Sequence, residues 1–319
     1  MTDIQDPTRV QLPPPNKRPD AAFFGASAGA GFIIAALVAF IGIFLLVTAI
    51  PSLRKNTVNF LTSTQWQVGE GDLAFGIAGM LWTTALSSVV AMVLAVPISV
   101  GVALLITQYA PRVLGNTVGF LVDLLAAVPS VVYGLWGAAI LAPAVQPFAQ
   151  WLQDNLGWFP LFAPGLASSG SVFVASIVLA IMIIPIVTAI SRDVFEQTPR
   201  DHIEAALALG ATKWEVVQTA VLPYGRSGVI AASMLGLGRA LGETIAVMLI
   251  LSTTNDTSIN FSLFAGGETF ASKIANNAAE FDSATKTGAY VAAGLVLFVV
   301  TFAVNAVARV IAAGGKARS

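Results

Sequence analysis

Residues 172–191 read VFVASIVLAIMIIPIVTAIS, and residues 192–226 continue RDVFEQTPRDHIEAALALGATKWEVVQTAVLPYGR. The first stretch is apolar, without one charge, and about as long as a helix must be to cross roughly 30 Å of hydrocarbon at about 1.5 Å per residue. The second carries nine charged residues and two sets of helix-start residues. An apolar span that runs straight into a self-capped polar loop predicts an all-α integral membrane protein with a structured loop beyond the bilayer.

The rest of the chain agrees. Of 319 residues, 56% are hydrophobic and 10% charged, with a mean hydropathy of +0.81. Soluble domains carry about 25% charged residues, and a soluble fold cannot hide so much apolar surface. The net charge of −1 gives no field for nucleic acid. The absence of cysteine excludes disulfides, thiolate metal sites and cysteine nucleophiles, and the single histidine, His202, leaves no imidazole cluster.

Six spans are expected, at about Phe23–Ile50, Ile77–Thr107, Val113–Val145, Val172–Ser191, Val229–Ser252 and Gly288–Ala308. Pro97, Pro129 and Pro185 fall inside them; Pro129 breaks the third span, Pro129 and Pro185 read as kinks, and neighbouring helices can tolerate such prolines. A β-barrel would show alternating segments of about ten residues instead. Residues 1–20, with Pro13-Pro14-Pro15, read as a disordered tail rather than a signal peptide. Residues 21–76 hold the first span and an outer loop, 77–312 the transmembrane core, and 313–319 a second tail. Eleven Lys and Arg fall on the side of the termini and the 192–226 loop. Four (Arg54, Lys55, Lys273 and Lys286) fall on the other. That bias puts both termini and the loop in the cytoplasm. The outer loop 253–287 reads as facing water or a partner, with one further helix around Glu268–Glu280.

Within the 192–226 loop, Thr198 is expected to cap a helix that has Pro199 in its first turn and Asp201 close behind. That helix carries Ile203 to Leu209 and stops at Gly210. Thr212 and Glu215 form a second capping box, opening a helix expected to end near Leu222-Pro223. Glu204-Ala205-Ala206, then Gly210, then Leu222-Pro223 at these offsets resembles the EAA loop of ABC-importer permeases. Ala220 is smaller than the aliphatic residue usual there. The resemblance implies that Glu204, Ala205, Ala206, Gly210, Leu222 and Pro223 couple the chain to a cytoplasmic ATPase. Ile203, Leu207 and Trp214 read either as anchors for that partner or as packing against the base of the membrane domain.

Asp123, Arg239 and Glu243 are ionisable residues inside apolar spans, which is costly enough to suggest a role. Arg239 and Glu243, four apart, are expected one turn apart on one helix face, beside Gly238 and Gly242, which would let another helix approach. An arginine facing a polar path suits a phosphate or similar oxyanion, with the glutamate preventing a trap. The same three charges also suit a network that holds the bundle together, and Asp123 leans to that structural role. Residues 236–247 (GLGRALGETIAV) and 123–134 (DLLAAVPSVVYG) are similar to the phosphate-uptake (Pst-type) permeases, and Glu243-Thr244-Ile245-Ala246-Val247 to the PstC rather than the PstA subunit. The likeness extends over about residues 77–310. It implies a type I importer permease fold and a substrate pathway at Arg239, Glu243 and Asp123. It also implies a sibling permease (PstA-like), two ATP-binding subunits (PstB-like) and an extracytoplasmic phosphate-binding protein (PstS-like).

No G-x-x-x-x-G-K-[ST] loop is present, and Gly314-Gly315-Lys316 lacks the pattern. ATP and Mg are therefore expected on the partner ATPases, with no cofactor or metal in this chain. A permease for sulfate or molybdate, the sibling subunit type, an autonomous channel or secondary transporter, and a membrane enzyme are the alternatives. The last two are disfavoured by the lack of an internal repeat and of an acid–base constellation.

Overall fold

The computed structural model describes residues 17–69, 73–165, 170–253 and 259–314. Of the tails expected at 1–20 and 313–319, residues 1–16 and 315–319 lie outside the described residues, while 17–20 open the first helix and 313–314 end the last. Helices dominate. In chain order they are α1 (Lys17–Lys55), α2 (Ala78–Leu104), α3 (Arg112–Ala126), α4 (Ser130–Trp136), α5 (Ala142–Leu156) and α6 (Val172–Glu196). After them come α7 (Arg200–Ala208), α8 (Lys213–Val216), α9 (Leu222–Gly242), α10 (Ile245–Ile250), α11 (Phe270–Asn276) and α12 (Ala284–Gly314). A short antiparallel ribbon, β1 (Trp66–Gln67) and β2 (Ala74–Phe75), closes the end opposite α7.

The centre is α2 packed on α6. Along α2 the residues Thr84, Ser87, Ser88, Ala91, Ala95, Ser99 and Ala103 are buried, and this small stripe lets the two backbones approach closely. Ser99 Oγ donates to the Ile184 carbonyl at 3.2 Å, and Thr188 Oγ1 donates to the Ser99 carbonyl at 3.5 Å. The two helices thus exchange hydrogen bonds where water cannot supply them. Leu179, Ile183 and Val187 of α6 are fully enclosed, with Val178 and Ala91 in the same core. By contrast α1 touches the protein mainly through α12, where Ser52 Oγ donates to the Thr285 carbonyl at 2.7 Å. Phe32, Phe40 and Val47 of α1 stay exposed, as a lipid-facing surface requires.

Among the described residues, five segments are long and apolar enough to cross a membrane: Phe23–Lys55, Ala78–Tyr109, Ser130–Leu156, Val172–Glu196 and Ala284–Val310. Two of the six expected spans are interrupted, the third at Pro129 as expected and the fifth against expectation. The third is broken: α3 stops at Ala126, Pro129 is extended, and α4 starts afresh at Ser130 and runs through a π-turn (Gly137–Leu141) into α5. Proline removes a donor and biases the residue before it away from helix, so the apolar run is two pieces rather than one kinked rod. The fifth ends as a helix at Gly242 and resumes at Ile245 as the short α10. The further helix expected around Glu268–Glu280 is α11, opened by a Thr269–Ser272 capping box.

Candidate functional site

The loop between α6 and α9 takes its shape from local hydrogen bonds. At the carboxyl end of α7, Gly210 N–H donates to the Leu207 carbonyl at 2.9 Å and Ala211 N–H to the Ala206 carbonyl at 3.2 Å. These are the two bonds of a Schellman closure, and Gly210 has the φ of +85° that the closure demands. Two residues on, Thr212 N–H donates to Glu215 Oε2 at 2.7 Å, and Glu215 N–H donates to Thr212 Oγ1 at 3.4 Å. The Thr212 backbone and hydroxyl hold the Glu215 carboxyl below the usual carboxylate range.

Two expectations about the loop are corrected. Thr198 does not cap α7: Pro199 occupies the N-cap position, and the Thr198 hydroxyl is buried without a partner. The second helix does not end at Leu222-Pro223. From Lys213 the chain stays helical to Gly242 through a π-turn at Val217–Val221. That turn makes Pro223 a first-turn residue of α9, where its missing N–H costs nothing. Val217 and Val221 sink into a cluster with Phe195, Ala103 and Leu104, against which Leu222 also packs. Gly225 permits this, because a Cβ there would lie 2.6 Å from the Phe195 ring.

So anchored, the loop presents α7 outward. None of its residues is buried; Glu204 and Ala205 are exposed and Ala206 half-buried. Leu207, Leu209 and Trp214 are 50%, 90% and 53% exposed. Leu207 and Trp214 therefore do not pack against the membrane domain, and Ile203 is half-buried. An apolar ridge on a polar helix, pinned at both ends, is suited to a partner's cleft.

The three charges of the apolar runs separate into two places. Arg239 sits in the last turn of α9. Its Nε is buried without a hydrogen-bond partner, and it makes no ion pair among the described residues. It lines a groove of about 950 Å³ between α9 and α12, with Gly238, Asn305 and Arg309. Glu243 is not one turn above it on a helix face. Its backbone is extended (φ −67°, ψ 123°), and its carboxylate accepts from the Ala246 N–H at 3.4 Å, at the start of α10. Asp123 pairs with Arg192 at 3.7 Å, half-exposed between α3 and α6, so the three charges form no common network. Gly238 and Gly242 also differ from expectation: a Cβ at either would meet nothing within 4 Å. Close approach occurs at Gly134 and Gly137 instead.

The sequence reading passed over two groups at the end opposite α7. Lys273 bonds Glu268 at 2.7 Å in a half-enclosed pair and lies 5.7 Å from the Trp66 ring centre. Tyr290 Oη donates to Glu280 at 2.6 Å, and Asn277 Nδ2 to the same carboxylate at 2.8 Å, holding Glu280 below the usual range. Only the spacing of Lys273 from Glu268, just over one turn, pointed to the first pair.

A bundle with two interrupted spans, a partnerless arginine in a groove and a rigid loop bearing an exposed helix defines the transmembrane subunit of a transport system. The chain belongs to the family of inner membrane components of binding-protein-dependent transport systems, which matches residues 95–314. It is 58% identical over 306 residues to the phosphate transport system permease protein PstC 2 of Mycobacterium tuberculosis, covering 95% of this chain and 94% of that one. The PstC proteins of Mycobacterium leprae (58% over 276 residues, 85% and 86% covered) and Mesorhizobium japonicum (38% over 296 residues, 91% and 89%) are similar in the same way. The fold resembles a chain of the inward-facing MetNI methionine ABC transporter, with a TM-score of 0.51 at 17% identity over 75% of this chain and 95% of that one.

Proposed function

We propose that this chain is the PstC-type permease subunit of an ATP-driven importer that carries inorganic phosphate into the cell by alternating access. The observation that carries the reading is identity of 58% along nearly the whole length to permeases named for phosphate transport. Arg239 supports it: a guanidinium without a carboxylate partner, opening on a groove, is available to a tetrahedral oxyanion in two-point contact. Glu243, held at the α9–α10 break, would weaken that contact enough for release. Asp123 fits the structural role better, since Arg192 neutralises it.

Both termini and the α7 loop would face the cytoplasm of a bacterial inner membrane. There Glu204, Ala205, Ala206 and Gly210 would enter a cleft on an ATPase subunit, with Leu222 and Pro223 transmitting its movement into α9. Two such subunits would bind ATP and Mg, a PstA-like sibling would complete the path, and a PstS-like phosphate-binding protein would deliver substrate from outside. The test is uptake of labelled phosphate, sulfate and molybdate by vesicles holding the whole complex. Phosphate alone should accumulate with ATP, and accumulation of sulfate or molybdate in its place would assign another oxyanion. Failure of the tagged chain to retain an ATPase would remove the importer reading altogether.

A further inference from the structure

The break in the third span leaves a backbone group to account for. Pro129 has no N–H, so the Leu125 carbonyl four residues earlier loses its helical donor. Val128 N–H approaches that carbonyl at 3.3 Å, and the Tyr133 hydroxyl donates to it at 2.9 Å from beyond the break. Tyr133 is 8% exposed, so this bond is made inside the protein.

The next residue fixes what α4 rests on. A Cβ on Gly134 would lie 2.8 Å from Ala246 Cα, and one on Gly137 would lie 3.0 Å from Ile250 Cδ1. Hence α4 is seated directly on α10, the piece that follows the break after Arg239. The two interrupted spans meet just past their interruptions.

We propose that Tyr133 is a positioning residue of the translocation path: by holding the Leu125 carbonyl across the Pro129 break, its hydroxyl sets the angle of α4 and so the seat of α4 on α10. This role rests on the reading of the chain as a phosphate permease, and one of its two readouts does not depend on transport.

The first readout is uptake by the reconstituted complex. Tyr133→Phe should lower maximal phosphate uptake about fivefold, the scale of the one hydrogen bond it removes across the break while Val128 N–H still serves the Leu125 carbonyl. ATP hydrolysis should continue, and the half-saturating amount of loaded binding protein should hold. Pro129→Ala/Tyr133→Phe returns an N–H to Leu125 without restoring the angle, so it should recover thermal stability but not uptake. Uptake within twofold of the parent for Tyr133→Phe, or full recovery in the double variant, would overturn the positioning role.

The second readout uses the absence of native cysteine. Spin labels at Val131→Cys and Ile245→Cys, both on exposed positions, report the spacing of α4 and α10 in the assembled complex. Tyr133→Phe should broaden or shift that distance, and an unchanged distribution would refute the proposal. If Tyr133→Phe does not assemble, the double variant carries both measurements, with the same outcomes deciding. If the parent complex takes up no phosphate, the substrate reading fails while the label distance still decides the role of Tyr133.

Discussion

The α7 loop and the interrupted membrane spans solve the same problem with different partners. In both, helices stop and restart, which strands backbone donors and acceptors. In the loop the remedy is at hand: Gly210, Ala211, Thr212 and Glu215 satisfy one another within a few residues. In the membrane domain part of it comes from farther away. Glu243 accepts from the Ala246 N–H three residues on, but Tyr133 reaches back eight residues to Leu125 and α4 is seated on α10. A segment closed by its own residues can keep its shape while the rest of the molecule moves. A segment closed by its neighbours must move with them. The first property suits a part that is pushed by a partner, the second a path that opens and closes.

If the membrane breaks depend on their neighbours, substitutions at the seam should cost most. Gly134→Ala puts a Cβ 2.8 Å from Ala246 Cα, and overpacking of this kind costs about 1–3 kcal/mol. The thermal midpoint of the detergent-solubilised protein should fall, and an unchanged midpoint would mean that α4 and α10 are not tightly seated.

Gly210→Val should come next. A Cβ there meets nothing, so the penalty is purely conformational, about 1–2 kcal/mol for an L-residue in the left-handed region. It should appear as poor retention of the ATPase in a pull-down while the membrane bundle melts as before. Gly210→Asn, better tolerated with positive φ, should retain more.

Thr212→Ala removes one cap and should lower the stability of the loop by about 1 kcal/mol, read as faster amide exchange across 212–217 with no change in α2 or α6. The smallest effect is at the opposite end. The Glu280 carboxyl is depressed in the folded state by its bonds from Tyr290 and Asn277, so it stabilises that end above the unfolded carboxylate pKa. That contribution is lost as pH falls through the depressed value. Amide protection factors around 277–290, corrected for the intrinsic exchange rate at each pH, should therefore fall on acidification, and Glu280→Gln should remove this dependence.

The same contrast explains what could be read without coordinates. Gly210 and the Thr212–Glu215 box are rules of adjacent residues, and they stood where the spacing put them. Thr198 was misjudged because a proline beside a threonine satisfies the usual pattern, yet Pro199 itself took the N-cap position. Pro129 was legible as a break in the third span, but the break at Glu243 lay in an apolar run whose length argued for one continuous span. Nothing local to Glu243 says that its backbone becomes extended, and the helix ends there where α10 can be seated on α4. Arg239 and Asp123 were visible as charges in apolar surroundings, but pairing is a property of the packed bundle. Arg192, counted among the loop charges, proved to be the partner of Asp123.

The most direct measurement is phosphate uptake and ATP hydrolysis in the same vesicles, for the complete complex carrying either the parent chain or Arg239→Gln. If the Arg239 guanidinium contacts phosphate in the path, as proposed, the variant should lose at least about tenfold in uptake, the scale of one charge-assisted contact of about 1.5–3 kcal/mol, while hydrolysis stays within about twofold. Uptake at the parent level in the variant would contradict the account, since phosphate would then cross without Arg239.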